Sequence, residues 1–120
     1  MRLNAFVLAL LLLFGATSAY ANTVEYPVKG TVTMIDLGAK TCIPCKMMAP
    51  ILEKLENEYR GRADIVFIDV REDVSQVSKY RISTIPTQIF YNKAGEEIGR
   101  HEGFLDEKSI REVVDKLLAE

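Results

Sequence analysis

Apolar residues recur along this chain with changing period, and each change marks a new element. Thr31-Val32-Thr33-Met34-Ile35-Asp36-Leu37 combines β-branched and apolar residues and predicts a buried strand. Gly38 to Thr41 predicts a loop, and a long helix is expected from Cys42 onward. Met47, Ile51, Leu52, Leu55 and Tyr59 recur at helical spacing, with Lys54, Glu56, Glu58 and Arg60 outside that stripe. Pro50 lies inside the pattern and is expected to kink it, having no N–H and a ring that crowds the preceding turn. Gly61 is expected to end it. Ile65 to Val70 is continuously apolar, which predicts a central strand covered on both faces. Glu72 to Tyr80 fits a short helix and Thr87 to Tyr91 a strand. Asn92-Lys93-Ala94-Gly95 supplies a turn, and Glu96 to His101 is expected to pair back as a hairpin. Asp106 is placed to N-cap a last amphipathic helix, whose stripe is Ile110, Val113, Val114, Leu117 and Leu118. Asn22 to Gly30 carries the breakers Pro27 and Gly30 and reads as irregular or edge structure.

The resulting order, β-α-β-α-β-β-α, predicts an α/β fold with a mixed central sheet flanked by helices on both faces. A helix-length crossover joins the first two strands in parallel, and the hairpin supplies the antiparallel part. Functional groups in open α/β sheets gather outside the carboxyl ends of central strands. The first strand ends here just before Cys42.

The N-terminal pattern is different. A short positive lead, Met1 to Asn4, precedes an apolar run from Ala5 to Ala16, then small residues at Ala19 and Ala21. This is the layout of a secretory signal peptide over residues 1–21, with a domain over residues 22–120. The run is well short of the ~20 residues of a spanning helix. An uncleaved anchor is the alternative. Cleavage takes the formal charge from −2 to −3, because Lys+Arg falls from 15 to 14 against 17 acids. That mild acidity, with both signs interspersed, gives no reason to expect nucleic acid or an anionic membrane as partner. The domain is expected to be periplasmic or secreted, and monomeric.

Export makes disulfides permissible. The chain has two cysteines, Cys42 and Cys45, so any disulfide within one chain joins these. A loop this short constrains the unfolded chain little, so redox exchange explains the pair better than stabilisation does. Zinc wants four ligands. Beyond the thiols the chain offers only His101 and carboxylates, so no metal is expected, and no cofactor. His101 itself reads as an exposed strand histidine without a partner. Met47 and Met48 read as packing residues. Asp36 is a carboxyl inside an apolar strand, where it needs a partner or a raised pKa; a strand-end Asp capping the loop is the plainer alternative.

Taken together, Asp36, Cys42-Ile43-Pro44-Cys45-Lys46-Met47-Met48-Ala49-Pro50, Tyr80-Arg81-Ile82-Ser83-Thr84-Ile85-Pro86-Thr87 and Gly103 before the last helix resemble the thioredoxin family. The resemblance runs from about Thr31 to the C-terminus. It implies a thioredoxin fold and a thiol-disulfide oxidoreductase. Cys42 would be the nucleophile at a helix N-terminus, with Lys40 and Lys46 adding to the field, and Cys45 the resolving thiol. Asp36 would be the buried acid that moves the proton of Cys45. Ile85-Pro86 would carry the family's cis-proline, with Pro44, Ile85 and Pro86 contacting an extended substrate segment.

Two departures stand out. Thr41 occupies the place of the usual Trp, and Ile43-Pro44 replaces the common Gly-Pro. A lysine that relatives often carry beside the buried acid corresponds to Phe67, so Asp36 is expected to titrate still higher. The uncharged Ile43-Pro44 gives the reduced thiolate no help, which favours a reductant nearer ~−270 mV than ~−120 mV. The expected activity is reduction of protein disulfides, with a membrane thiol-disulfide carrier as electron donor. The alternatives are a dedicated reductant in cytochrome c maturation, and a thioredoxin-fold binding module without turnover.

Overall fold

The computed structural model describes Ala19, Ala21 and residues 23–120. The signal-peptide reading therefore lies almost wholly outside the described residues, as does the anchor alternative. No described helix is long and apolar enough to cross a membrane.

Among the described residues, seven elements follow in the expected order: β1 Val32–Gly38, α1 Ile43–Tyr59, β2 Ala63–Asp69, α2 Ser75–Tyr80, β3 Thr87–Tyr91, β4 Glu97–Glu102 and α3 Glu107–Leu118. They build one sheet in the order β2-β1-β3-β4. β1 and β2 are parallel, and the β1–β3 and β3–β4 pairs are antiparallel. The expected mixed α/β sheet is what forms.

Alternation along β1 divides the core in two, because successive strand residues point to opposite faces. Val32 and Met34 pack with Met48, Leu52 and Leu55 of α1 and with Ile110, Val114 and Leu117 of α3. Ile35 and Leu37 pack on the other face with Val70, Tyr80 and Ile82, flanked by Val77 of α2. Asp36 shares parity with Val32 and Met34, so it faces α1 and α3.

Two local expectations change. β2 is an edge strand and not a central one. Its apolar run is half-covered, with Phe67 39 % exposed, because β1 takes the middle of the sheet and leaves β2 one neighbour. α1 continues through Pro50, whose missing N–H removes the intrahelical donor to the Lys46 carbonyl. The short helix starts at Ser75, later than the apolar pattern indicates, after an Asp73 carboxylate that accepts from Ser75 N at 3.1 Å.

α3 is capped as expected: Asp106 Oδ1 accepts from Ser109 N at 2.9 Å. α3 is tied to α1 by Tyr59 Oη, which donates to Asp115 at 2.6 Å. Ion pairs Lys54–Glu107 and Arg111–Glu58 cross the same seam at the surface, where such pairs add little.

Candidate functional site

Cys42 is the N-cap of α1, with extended backbone (φ −83°, ψ 129°) and no side-chain cap. Its carbonyl accepts the first helical bond, from Lys46 N at 2.9 Å. The free N–H groups of the first turn therefore point towards the thiol end of the loop. Pro44 sits in that first turn, where its missing N–H would have had no partner anyway. Cys42 and Cys45 are joined as a disulfide, with Cα atoms 5.1 Å apart. The two sulfurs are not equivalent. Cys42 is half-buried, Cys45 is 3 % exposed, and Ile43 between them is 73 % exposed.

Cys45 is held against the end of β1. A Cβ built on Gly38 would lie 3.0 Å from Cys45 Sγ and 3.3 Å from the Phe67 ring. A side chain there would require Cys45 or the Phe67 ring to give by a few tenths of an ångström, a constraint not visible while Gly38 read as an ordinary loop residue. Gly38 lies two residues beyond Asp36 and so on the same face of β1. A cleft of about 340 Å³ runs from Cys45 past Phe67 and between Lys46, Glu53 and Glu56.

Asp36 has no exposed surface. Its Oδ1 accepts from Gln88 Nε2 at 2.8 Å. Its Oδ2 is buried with no partner among the described residues. Burial pushes the carboxyl up from 3.8 to about 6, and the Gln88 hydrogen bond offsets part of that rise. The plainer reading, a loop cap, does not hold. That task falls to Asp69, which accepts from Lys40 N at 3.1 Å and from Arg71 N at 2.9 Å. The register places Phe67 directly beside Asp36, so no cation fills that position.

Lys40, expected to add positive field at Cys42, instead pairs with Glu72 at 2.8 Å. Arg71 is the cation that reaches the loop, donating to Thr41 Oγ1 beside Cys42. Neither Arg71 nor Gln88 drew notice in the sequence; Arg71 lies 30 residues from the loop it touches. His101 also departs from expectation. It is half-buried, and its Nδ1 lies 3.0 Å from Gln88 Oε1.

The Ile85–Pro86 peptide bond is cis. Pro86 is buried and Ile85 half-buried. The Pro86 carbonyl accepts from Gly103 N at 2.7 Å, with Gly103 at φ +93°, a conformation that favours glycine. Met48 is buried and Met47 exposed, in keeping with packing at core and rim. No group of three or more His, Cys, Asp or Glu residues suited to a metal occurs among the described residues.

A lysine introduced at Phe67 would place a cation next to Asp36. Phe67→Lys is therefore expected to lower the Asp36 titration midpoint by at least about one pH unit, read by NMR of the carboxyl carbon. An unchanged midpoint would mean that the lysine swings into the cleft and leaves the acid alone.

Three comparisons bear on this arrangement. The family model described as Thioredoxin matches residues 14–116. Thioredoxins of Staphylococcus epidermidis and Staphylococcus aureus are each 42 % identical over 91 residues, covering 76 % of this chain and 86 % of theirs. Among solved structures, chloroplastic thioredoxin z superposes with TM-score 0.67 at 35 % identity, over 76 % of this chain and 81 % of that one. Fasciola hepatica thioredoxin gives 0.63 at 30 % identity, over 73 % and 82 %.

Proposed function

Because this chain belongs to the thioredoxin family and carries a Cys42–Cys45 pair, it is a thiol-disulfide oxidoreductase, and we propose that it works as a reductant of protein disulfides outside the cytoplasm. The unequal exposure of the two sulfurs carries this reading.

Cys42 is the reachable sulfur and, at a helix N-terminus, the one whose thiolate is favoured. In the reduced enzyme the Cys42 thiolate attacks one sulfur of a substrate disulfide. The substrate S–S bond breaks, its other sulfur leaves as a thiolate and takes a proton, and a mixed disulfide forms. Cys45 then gives its proton to the Asp36 carboxylate, and its thiolate attacks Cys42 Sγ. The second substrate thiolate departs, and the Cys42–Cys45 disulfide closes. Two electrons have passed to the substrate, so the enzyme disulfide must be reduced in turn. A membrane thiol-disulfide carrier fits an exported protein, which has no direct access to cytosolic reductant. Ile43, Pro44, Ile85 and Pro86 supply the apolar contact for an extended substrate segment. The uncharged Ile43 and Pro44 support the reducing direction, since they give the thiolate form no extra stabilisation.

Insulin-disulfide reduction with a dithiol donor tests the activity, and Cys45→Ser is expected to accumulate a covalent enzyme–substrate disulfide that the parent protein resolves. Equilibration against glutathione tests the direction: a potential above about −150 mV would contradict a reducing role.

A further inference from the structure

Four residues form a straight row across the sheet. The register sets Phe67 of β2 beside Asp36 of β1, Asp36 beside Gln88 of β3, and Gln88 beside His101 of β4. All four share the face covered by α1 and α3. The row thus runs from the cleft at Cys45 to the opposite edge of the sheet.

Gln88 has no exposed surface, and a buried amide is costly unless its groups are bonded. Here they are. Nε2 donates to Asp36 Oδ1 at 2.8 Å and to the Gly103 carbonyl at 3.1 Å, while Oε1 lies 3.0 Å from His101 Nδ1. The orientation is forced. Gly103 O can only accept, so the end of the amide that meets it must be the NH2 group. Turning the amide over would press Oε1 against two oxygens. With Oε1 on the other side, His101 must donate from Nδ1. Its neutral ring is then the Nδ1–H tautomer, with Nε2 as the ring acceptor.

We infer that Gln88 is a positioning residue for Asp36, locked by Gly103 and His101 with its nitrogen towards the carboxyl, so that β3 and β4 set the pH range over which Asp36 can take the proton of Cys45. The inference rests on the proposed role of Asp36 in the resolving step. It gives the buried acid a fixed neutral donor on β3, while an apolar ring stands on its β2 side. The His101 N–H that donates to Oε1 polarises the amide, which strengthens the Nε2 donor and favours the charged form of Asp36. The charges near the two ends of the row are separate sets. Lys46, Glu53 and Glu56 of α1 line the cleft beside Phe67. Arg100 of β4 and Glu112, Lys116 and Glu120 of α3 share the groove with His101.

The test is a carboxyl-carbon NMR titration of Asp36, with the pH profile of disulfide reduction measured alongside. Gln88→Met keeps length and bulk but removes the N–H donor, and Gln88→Leu is the second variant should the first fold poorly. The Asp36 midpoint is expected to rise by about one pH unit, and the acid limb of turnover to move with it. His101→Phe should shift both in the same direction by less, and His101→Gln, which can still donate to Oε1, should restore them. A folded Gln88 variant with a lower melting temperature but an unmoved midpoint overturns the inference and makes Gln88 a packing residue. An unmoved midpoint in His101→Phe overturns the lock. A midpoint that moves while the turnover limb stays put overturns the use of Asp36 as proton acceptor for Cys45; the disulfide-reductase reading then still stands or falls by insulin reduction.

Discussion

Cys42→Ser is expected to abolish disulfide reduction, lowering the rate on the order of a thousandfold or more, with the fold intact by circular dichroism. The reason lies in the geometry of the pair. A serine hydroxyl at Cys42 is neither ionised nor able to form the mixed disulfide. Cys45 cannot take over, because it is 3 % exposed and pressed on Gly38 at the end of β1. A substrate disulfide would have to enter the cleft beside Phe67 to reach it. The exchange of roles fails in only one direction: Cys45→Ser leaves the attacking sulfur in place and blocks release. Insulin reduction checks the first variant: a retained rate would show that Cys42 is not the attacking sulfur, and a parent protein that reduces no insulin would return the chain to the binding-module reading. The cytochrome c alternative concerns the client and not the chemistry, so it survives this test and is decided by the proteins that Cys45→Ser captures.

The second large effect is on stability. Asp36 titrates at about 6 in the folded protein against 3.8 as its ordinary value. The folded state therefore holds this proton more tightly than the unfolded chain. The sign is the reverse of a salt-bridged acid: the contribution favours folding below the unfolded value and is lost as pH rises through about 6. The size is about 3 kcal/mol, from that difference at ~1.4 kcal/mol per pH unit. Several exposed acids act in the opposite sense, among them Asp69, Asp73 and Asp106, each held below its ordinary value by hydrogen bonds. A comparison with Asp36→Asn cancels them. Denaturant unfolding of the disulfide form at pH 4 and pH 8 should show the variant gaining about 2 kcal/mol on the parent across that interval, since pH 4 already lies just above the unfolded value. A constant gap would show that the buried carboxyl is not destabilising when charged. The same substitution removes the proton acceptor proposed for Cys45. Asp36 is thus a residue kept at a cost to stability in the pH range where it is charged.

Much of this was legible in the residues. The Cys42–Cys45 spacing, the strand before it, the stripe of α1 and the Asp106 cap all depend on neighbours within a turn or two. Period and capping chemistry report such neighbours directly. β2 was misplaced because a continuous apolar run describes what covers a strand and not which side of the sheet it occupies. Gly38 looked like loop material because the side chain that crowds it belongs to Cys45, on another element.

His101 shows the limit most plainly. In the sequence it stands among charged residues of an exposed strand, with nothing nearby to bond. Its partner is 13 residues away and becomes a neighbour only when β3 and β4 pair in register. Gln88 was equally silent, being a lone amide in an apolar strand whose carboxylate partner lies 52 residues earlier.

By itself, then, the sequence determined the α/β order of elements, the thioredoxin resemblance and the two sulfurs that can exchange, since each follows from local spacing. Only the tertiary structure decided which sulfur is covered, how closely Gly38 meets Cys45, and that Asp36 is answered by Gln88 and His101 on one side and by Phe67 on the other. Those relations are set by strand register and by the approach of α1 to β1, and register is a property of paired strands that no single stretch of chain contains.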